Sequence, residues 1–378
     1  MSPHTASRPA RILIAPDSFK GSATAEAVAS NLALGWSSVR GQDNVQLAPM
    51  ADGGEGTIDA LKSVFPTADR RPIRVIGPGG KTVEAEWLYL PPAFGARGST
   101  GVVELASTSG ITLLESLSPL DAQSTGFGQA IVAALEAGVS RLILAIGGSA
   151  ATDGGAGVLQ ELGYRILDEN DEPIRPGNRG LPDAVRVDAS AVVTLPENGV
   201  VVLTDVTNPL TGPNGSAAVF GPQKGASGEV ITRMDAALEH FAALFDIDPQ
   251  TPGAGAAGGA GFSLMVWGAE VKSGAEEIAS LLNLPSRIEH ADLVITGEGR
   301  FDHQSHLGKV VGKLRHTAAA FGVPIALVAG AIASETEGFS CAMSLSDLAG
   351  DTGSAMADPE TYLRIAGAEL ASSFAAKS

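Results

Sequence analysis

The chain has 378 residues, and this length favours two domains, because a single hydrophobic core stops growing beyond roughly 250–300 residues. Hydrophobic residues make up 44% of it and aromatic residues 5%, which is typical of helices packed on β-sheets rather than of an all-β sandwich. Acidic residues outnumber basic ones by 42 to 25; the formal net charge of −17 disfavours nucleic acids and anionic membranes as partners.

The number of cysteines and the lengths of the apolar segments indicate the cellular compartment. Cys341 is the single cysteine, which excludes an intrachain disulfide framework and fits a reducing compartment. The first residues, MSPHTASRPAR, lack the apolar core of a signal peptide, and no run reaches the ~20 apolar residues of a membrane-spanning helix. We therefore expect a cytoplasmic monomer or homodimer without membrane contact.

The chain begins with β-loop-α units. Residues 11–15 predict a strand, and apolar residues then recur at four-residue spacing over 28–36, as on one face of a helix. A second unit has a strand over 45–50 and a helix over 57–65. This alternation predicts a parallel sheet.

The middle of the chain follows a different pattern. Residues 71–90 alternate around a GPGG turn, which predicts a hairpin and the start of a second domain. Further strands are expected over 102–107, 141–146 and 200–204.

The β/α alternation returns at the end of the chain. A strand over 292–296 is followed by a helix over 309–321, a strand over 324–330 and a last helix near 359–375. Because both ends share one pattern, we predict a discontinuous domain that is interrupted by a second one. The expected boundaries place 1–70 and 289–378 in the first domain and 71–288 in the second.

Five loops after predicted strands combine glycine with a carboxylate. In doubly wound sheets, the loops at the carboxyl ends of the strands form the ligand crevice. The loops read APDSFKGS (15–22), ADGGEG (51–56), GGSAATDGGAG (147–157), DVTNPLTGPNG (205–215) and GEGRFDHQS (297–305).

These residue types favour phosphoryl transfer. Glycine lets a backbone approach an anion closely, and a carboxylate holds a divalent metal or accepts a proton from an attacking hydroxyl. Lys20, Lys224, Arg300 and Lys309 are candidates for neutralising the transferred charge. The alternative for any one loop is a plain turn.

Two glycine motifs do not indicate a nucleotide fold. GAGAAG at 253–258 has the letters of a dinucleotide fingerprint but follows no strand, so helix entry and close packing explain it better. GPGGKT at 77–82 mimics part of a P-loop but fits a hairpin turn.

The five loops, together with FGPQKGA (220–226), resemble the sequence blocks of the bacterial glycerate kinase family over nearly the whole chain. The resemblance implies phosphorylation of D-glycerate with ATP and Mg²⁺, usually to 2-phosphoglycerate, in glycerate, glyoxylate or sugar-acid catabolism. It also implies a flavodoxin-like doubly wound parallel-sheet domain, interrupted by a second α/β domain with a mixed sheet, and an active site in the cleft between them. HQS at 303–305 and GKVV at 308–311 depart from the family pattern.

Within this resemblance we assign a role to each candidate residue. Asp52 is the expected general base, with Lys20, Asp205 and Glu298 as further catalytic groups. Asp205 and Glu298 are the expected Mg²⁺ ligands. Substrate contacts are expected from Ser18, Lys20, Glu55, Arg300 and Asp302. Nucleotide contacts are expected from Gly147, Gly148, Ser149, Asp153, Asn208, Lys224 and Lys309.

Each functional role has a structural alternative. Lys20 is alternatively a surface lysine. An ion-pair network without a catalytic role is the alternative for Glu298, Arg300 and Asp302. A nicotinamide-dependent hydroxy-acid oxidoreductase and a small-anion binding protein are the rival functions; the first requires a strand-borne GxGxxG, which the chain lacks.

Overall fold

The computed structural model describes residues 8–92, 98–303, 305 and 310–374. Within these ranges the strands are β1 (Arg11–Ile14), β2 (Asn44–Leu47), β3 (Asp69–Ile76), β4 (Thr82–Leu90), β5 (Thr100–Glu104), β6 (Arg141–Ala145), β7 (Arg165–Leu167), β8 (Arg186–Asp188), β9 (Val200–Leu203), β10 (Glu270–Lys272), β11 (Leu293–Phe301), β12 (Ile325–Ile332) and β13 (Cys341–Ser344).

Helices separate most of these strands. The α-helices are α1 (Ala25–Val39), α2 (Thr57–Val64), α3 (Leu105–Ser109), α4 (Thr125–Glu136), α5 (Ala156–Glu161), α6 (Ser216–Phe220), α7 (Glu229–Ala242), α8 (Ala260–Trp267), α9 (Gly274–Leu281), α10 (Leu284–Glu289), α11 (Val310–Ala320), α12 (Leu345–Ala349), α13 (Thr352–Ala357) and α14 (Pro359–Ser373). Short 3₁₀ helices lie at Ile111–Leu113, Asn178–Asp183, Pro222–Lys224 and Ala256–Gly259. In the described part of the chain, every helix is too short or too polar to cross a bilayer.

The contacts divide the chain into two compact units. Unit 1 comprises Met1–Asp52, Asp59–Val64 and Ala275–Ser378, and unit 2 comprises Gly53–Ile58 and Phe65–Gly274. Unit 2 is therefore inserted into unit 1. The domain boundaries expected at 70/71 and 288/289 stay a prediction.

The sheet of unit 1 is parallel throughout and has the order β13-β12-β11-β1-β2. Numbered within the unit, this order is 2-1-3-4-5, the order of flavodoxin-like folds. The predicted fold class is thereby confirmed. In this topology the ligand crevice lies where the strand order reverses, which is between β1 and β11.

Helices α1 and α14 pack closely in the core of unit 1. The Thr24 side chain caps α1 by accepting a hydrogen bond from the amide of Ala27, and α14 begins with Pro359 after the capping Asp358. Gly35 and Gly367 lie at the contact. A Cβ atom at position 35 would lie 2.0 Å from the carbonyl oxygen of Arg364, so this crossing requires glycine.

The sheet of unit 2 is mixed, with the order β10-β9-β6-β5-β4-β3. Strands β5, β6, β9 and β10 are parallel, whereas β3, β4 and β5 are joined antiparallel. The predicted GPGG hairpin is confirmed: the Gly77 amide donates to the Lys81 carbonyl at 2.7 Å. Strands β7 and β8 form a separate antiparallel pair.

Three predicted boundaries are wrong. The strand expected over 292–296 runs on to Phe301, so the first five residues of the expected loop 297–305 lie in β11. Glycines 297 and 299 indicated a loop, but here they allow β11 to lie close against its neighbours. The strand expected over 102–107 turns into α3 after Glu104, and the one expected over 45–50 ends at Leu47.

The α1–α14 contact gives a test of packing in unit 1. We expect Gly35→Ala to lower the free energy of unfolding by about 3 kcal/mol, because the added methyl group overlaps backbone atoms of α14. Leu34→Ala, at an exposed position of the same helix, is the control and should stay within about 0.5 kcal/mol of wild type. Urea denaturation measures both; equal effects would contradict the packing argument.

Candidate functional site

The carboxyl ends of β1, β2 and β11 are joined by backbone hydrogen bonds in unit 1. The amides of Ala15 and Asp17 donate to the carbonyl oxygens of Ile295 and Gly297, each at 2.8 Å. The Met50 amide donates to the Pro16 carbonyl at 2.8 Å. The loop after β1 is thereby held at the point where the strand order reverses.

Ser18 and Lys20 lie in this loop. The Ser18 amide donates to Asp17 Oδ1 at 2.6 Å, which fixes the turn. A Cβ atom at Gly299 would lie 3.2 Å from the Lys20 amide nitrogen, so β11 and the loop approach closely. The Lys20 side chain is exposed. The structure therefore brings Lys20 near the segment that carries Glu298 and Arg300.

Glu298 and Arg300 alternate with the glycines along β11. Glu298 is only 7% exposed, which is unusual for a carboxylate, whereas Arg300 is exposed. Arg300 Nε lies 3.8 Å from Asp302 Oδ2, and an ion pair this exposed contributes little to stability. The Asp302 amide donates to Ser305 Oγ at 3.0 Å.

Asp52 is the last residue of the first segment of unit 1, and its side chain is exposed. It follows Met50, whose amide is bonded to the loop after β1. Asp52 thus stands at the same edge of the sheet as Ser18 and Lys20.

A second group of candidate residues lies at the carboxyl edge of the parallel strands of unit 2. The Gly147 amide donates to the Gly53 carbonyl at 3.1 Å. A Cβ atom at Gly53, whose φ is +92°, would lie 2.5 Å from Leu203 Cβ. The glycine loop that carries the exposed Glu55 therefore rests against the ends of β6 and β9.

The loop after β6 is fixed by its backbone. Gly148 is exposed with φ +77°, and its carbonyl accepts a hydrogen bond from the Ile111 amide at 2.9 Å. The Ala150 amide donates to the Ser109 carbonyl at 3.0 Å. Ser149 between them is 7% exposed. These hydrogen bonds tie the backbone of 147–150 to residues 109–111.

Asp205 follows β9 by two residues and is exposed. Its Oδ1 atom accepts a hydrogen bond from Ser273 Oγ at 2.7 Å. Asn208 stabilises the same loop, because its Nδ2 donates to the Asn214 carbonyl at 2.8 Å.

Asp153 is fully buried and collects hydrogen bonds from the loop around it. The Ser124 amide and hydroxyl donate to Oδ2 at 2.9 and 2.8 Å, and the Gly155 amide donates to Oδ1 at 3.0 Å. Burial raises the pKa of Asp153 above its ordinary value, and these hydrogen bonds oppose the shift.

Lys224 is also buried, at 3% exposure, and its Nζ donates to the carbonyl oxygen of Ala151. Burial lowers its pKa to about 8, while the charge of nearby Asp153 acts in the opposite direction. Their contact with a nucleotide stays a prediction. Asp153 contacts Ser124 and the Gly155 amide of its own loop, and Lys224 contacts the Ala151 carbonyl of that loop.

Lys309, the remaining nucleotide candidate, lies outside the described residues.

Sequence reasoning missed several supporting residues. Ser124 holds Asp153, Ser273 holds Asp205, and Asn178 Nδ2 donates to the Thr152 and Met234 carbonyls at 3.0 and 3.2 Å. Glu104, at the end of β5, accepts a hydrogen bond from the Ile58 amide at 3.3 Å. Each lies in a segment without a motif, so spacing alone gave no signal.

Within the described ranges, no group of three or more His, Cys, Asp or Glu side chains is arranged to hold a metal ion. Mg²⁺ commonly uses one or two carboxylates and takes its other ligands from water and phosphate. The exposed carboxylate of Asp205, fixed by Ser273, meets that requirement.

A flavodoxin-like unit and a second α/β unit, each with glycine and carboxylates at the carboxyl edge of parallel strands, define an α/β protein whose ligand crevices are expected at those edges. The glycerate kinase family model matches residues 12–375, so the chain belongs to the glycerate kinase family. The predicted family and the prediction of a kinase are confirmed.

Individual proteins similar to this chain are also named glycerate kinases. A glycerate kinase of Halalkalibacterium halodurans is 41% identical over 332 residues, with 85% of each chain covered. The glycerate 2-kinase of Escherichia coli K12 is 41% identical over 331 residues, again with 85% of each chain covered. A crystal structure from Salmonella typhimurium LT2, provisionally assigned as glycerate kinase 2, has a TM-score of 0.84 and 36% identity and covers 96% of this chain and 98% of that one.

The burial of Asp153 predicts a structural cost that exposed carboxylates do not have. Asp153→Asn replaces an acceptor by an amide group facing N–H donors, and we expect the free energy of unfolding to fall by about 3 kcal/mol. Asp205→Asn, at an exposed position, should change it by less than about 0.5 kcal/mol. Urea denaturation measures the free energy of unfolding of both variants. An Asp153→Asn protein as stable as wild type would refute the structural role of Asp153.

The lowered pKa of Lys224 predicts a pH dependence of stability. With a folded pKa of about 8 against an ordinary 10.5, the unfolded state binds more protons between these values, so the contribution of Lys224 to stability rises with pH. We expect the free energy of unfolding of wild type minus that of Lys224→Met to increase from pH 8 to 10.5. The difference measured with Gln223→Met, a neutral exposed neighbour, should stay flat. A difference for Lys224→Met that is constant or falls would contradict the prediction.

Proposed function

We propose that this protein uses ATP and Mg²⁺ to phosphorylate D-glycerate and that the product is 2-phosphoglycerate. The observation that carries the proposal is the match to the glycerate kinase family across residues 12–375. The position of phosphorylation follows the E. coli relative, which is a glycerate 2-kinase.

In unit 1, we propose that the carboxyl edge of the sheet recognises the acid and activates its hydroxyl. Glycerate is a small anion, and the exposed Lys20 and Arg300 supply positive charge, with Ser18 and Asp302 as polar contacts. Asp52 is exposed and carries a carboxylate, which accepts the hydroxyl proton when it lies within hydrogen-bond reach. Glu298 is proposed as a further catalytic carboxylate and metal ligand at the same edge.

In unit 2, we propose contacts to the nucleotide. The hydrogen-bonded backbone of Gly147, Gly148 and Ser149 is proposed to contact phosphate oxygens, because glycine allows a close approach. Asp205 is the proposed Mg²⁺ ligand, with Asn208 beside it, and Glu55 is proposed to contact the substrate. Mg²⁺ would neutralise charge on the phosphate oxygens.

Asp153, Lys224 and Lys309 are also proposed to act at the nucleotide site. Asp153 and Lys224 are buried, so their observed hydrogen bonds favour holding the loop after β6 in place. The proposed nucleotide contact of Lys309 is supported by the sequence resemblance to the glycerate kinase family.

We also propose a cellular setting. A cytoplasmic location is supported by the single cysteine, which fits a reducing compartment. We propose a monomer or homodimer that acts in glycerate, glyoxylate or sugar-acid catabolism.

The carboxylates give a direct kinetic test. Asp52→Asn and Asp205→Asn should each lower kcat about 100-fold or more, because one removes a proton acceptor and the other a metal ligand. Asp246→Asn, at another exposed position, is the matched control and should keep normal turnover. Circular dichroism checks folding, and near-normal kcat in both test variants would remove these residues from the active site.

The reaction itself is decided by ³¹P NMR of the product formed from ATP and D-glycerate. A 2-phosphoglycerate signal supports the proposal, and a 3-phosphoglycerate signal overturns its regiochemistry. An absorbance change of NADH without ADP release would favour the oxidoreductase, and ligand binding without either would favour a binding protein.

A further inference from the structure

A small cavity of about 200 Å³ lies between α10 and the sheet of unit 1. It is lined by the first three residues of β1, by Gln46 of β2, by Ser286 and Arg287 of α10 and by the two residues that follow this helix. In the described part of the chain, none of the residues assigned above to catalysis or ligand binding lines this cavity. Typical sites for drug-sized ligands have volumes of about 300–1,000 Å³, so this smaller cavity fits an ion or a short molecule.

Arg287 is a half-buried residue whose guanidinium group has only neutral partners. Its Nη2 donates to the Leu47 carbonyl at 2.9 Å, and its Nε donates to Gln46 Oε1 at 3.4 Å. No carboxylate among the described residues forms an ion pair with it. Loss of hydration lowers the pKa of Arg287 below its ordinary value. The two bonds leave further N–H donors of the guanidinium group for another acceptor.

Arg11 supplies a second guanidinium group to the lining of the cavity. Its Nε lies 3.6 Å from Asp292 Oδ2, which is beyond the usual length of a hydrogen bond. This Nε atom has no hydrogen-bond partner within the described ranges. Arginine is normally satisfied by a carboxylate or phosphate that accepts two parallel N–H bonds, and Asp292 does not do this for Arg11.

The carboxylate of Asp292 balances only part of the positive charge around the cavity. Its two oxygens accept hydrogen bonds from Arg8 Nη2 at 2.6 Å and Arg8 Nη1 at 3.1 Å. Glu289, the acidic residue of α10, is exposed and outside the lining. One carboxylate therefore faces Arg8 and Arg11 together, and Arg287 has none. This local surplus of positive charge occurs in a chain whose formal net charge is −17.

We propose that this cavity binds a phosphate group, either as inorganic phosphate or at the end of a small phosphomonoester. Phosphate oxygens accept the paired N–H bonds of guanidinium groups, and bound phosphate offsets the cost of desolvating Arg287. A phosphate carries more than one negative charge near pH 7, so it matches two guanidinium groups better than a carboxylate does. The cavity is lined by the start of β1, whereas the residues proposed for catalysis in unit 1 lie at the carboxyl ends of the strands. The proposal is therefore independent of the proposed reaction.

Replacing Arg287 tests the site by direct binding. Calorimetric titration of Arg287→Gln with sodium phosphate at constant ionic strength should give a Kd at least about tenfold higher than wild type, because a charged donor is lost. Arg233→Gln, at an exposed position of unit 2, is the matched control and should change the Kd by less than about twofold. Arg287→Gln should keep the kcat of wild type, which also shows that it is folded. Arg300→Gln, at the proposed active edge, should keep the phosphate affinity lost in Arg287→Gln.

A second measurement locates the anion in the unaltered protein, so that a folding defect in a variant does not decide the outcome. Anomalous diffraction from wild-type crystals soaked in selenate should place selenium beside the guanidinium groups of Arg11 and Arg287, and excess phosphate should remove this signal. Selenium found only elsewhere would overturn the proposal. Wild-type phosphate affinity in Arg287→Gln would also overturn it, even where selenate occupies the cavity at crystal concentration.

Titration with glycerol 3-phosphate distinguishes the two sources of the phosphate group. If Arg287→Gln weakens the binding of inorganic phosphate and of glycerol 3-phosphate alike, the site recognises the phosphate group itself. If only the binding of glycerol 3-phosphate is weakened, the site requires a phosphomonoester. An affinity for both probes that depends on Arg300 and not on Arg287 would assign phosphate binding to the active edge and reject the cavity.

Discussion

The close approach of β11 to its neighbours is the constraint on which unit 1 depends. A Cβ atom at Gly297 would lie 2.1 Å from the Val328 carbonyl oxygen, and one at Gly330 would lie 2.4 Å from the Gly299 carbonyl oxygen. With glycine at these positions, β11 extends past the apolar run and still pairs with β12. Glu298 and Arg300 are thereby presented by a rigid strand rather than by a loop, next to the turn that carries Lys20.

In unit 2, buried polar groups hold the loop after β6 in place. Its loops at the carboxyl edge lie close together through glycine, and the loop after β6 encloses a carboxylate and an ammonium group. Buried charges are costly unless hydrogen bonds satisfy them, and here Ser124, loop amides and the Ala151 carbonyl do so. The same sequence block therefore contains exposed backbone suited to a ligand and interior groups that fix its shape.

Local sequence signals were sufficient for the alternating elements, the hairpin and the interrupted arrangement, because apolar period and turn chemistry are local properties. They failed at β11, where Gly297 and Gly299 indicate a loop unless the position of β12 is known. They also failed to separate Asp153 and Lys224 from exposed candidates such as Asp205, since burial depends on distant segments. Ser124 and Asn178 gave no signal because their partners lie far along the chain.

The pairing of β1 with β11 has a consequence for biosynthesis. Ile12 is in register with Leu293, so β1 pairs with the central strand β11, which the ribosome makes about 280 residues later. The strands and apolar core of unit 2 are complete in the nascent chain before β11 emerges. Closing so long a separation is entropically costly in a flexible chain, and prior compaction of the insertion shortens it. An insertion that becomes compact first therefore lowers the entropic cost of pairing β1 with β11.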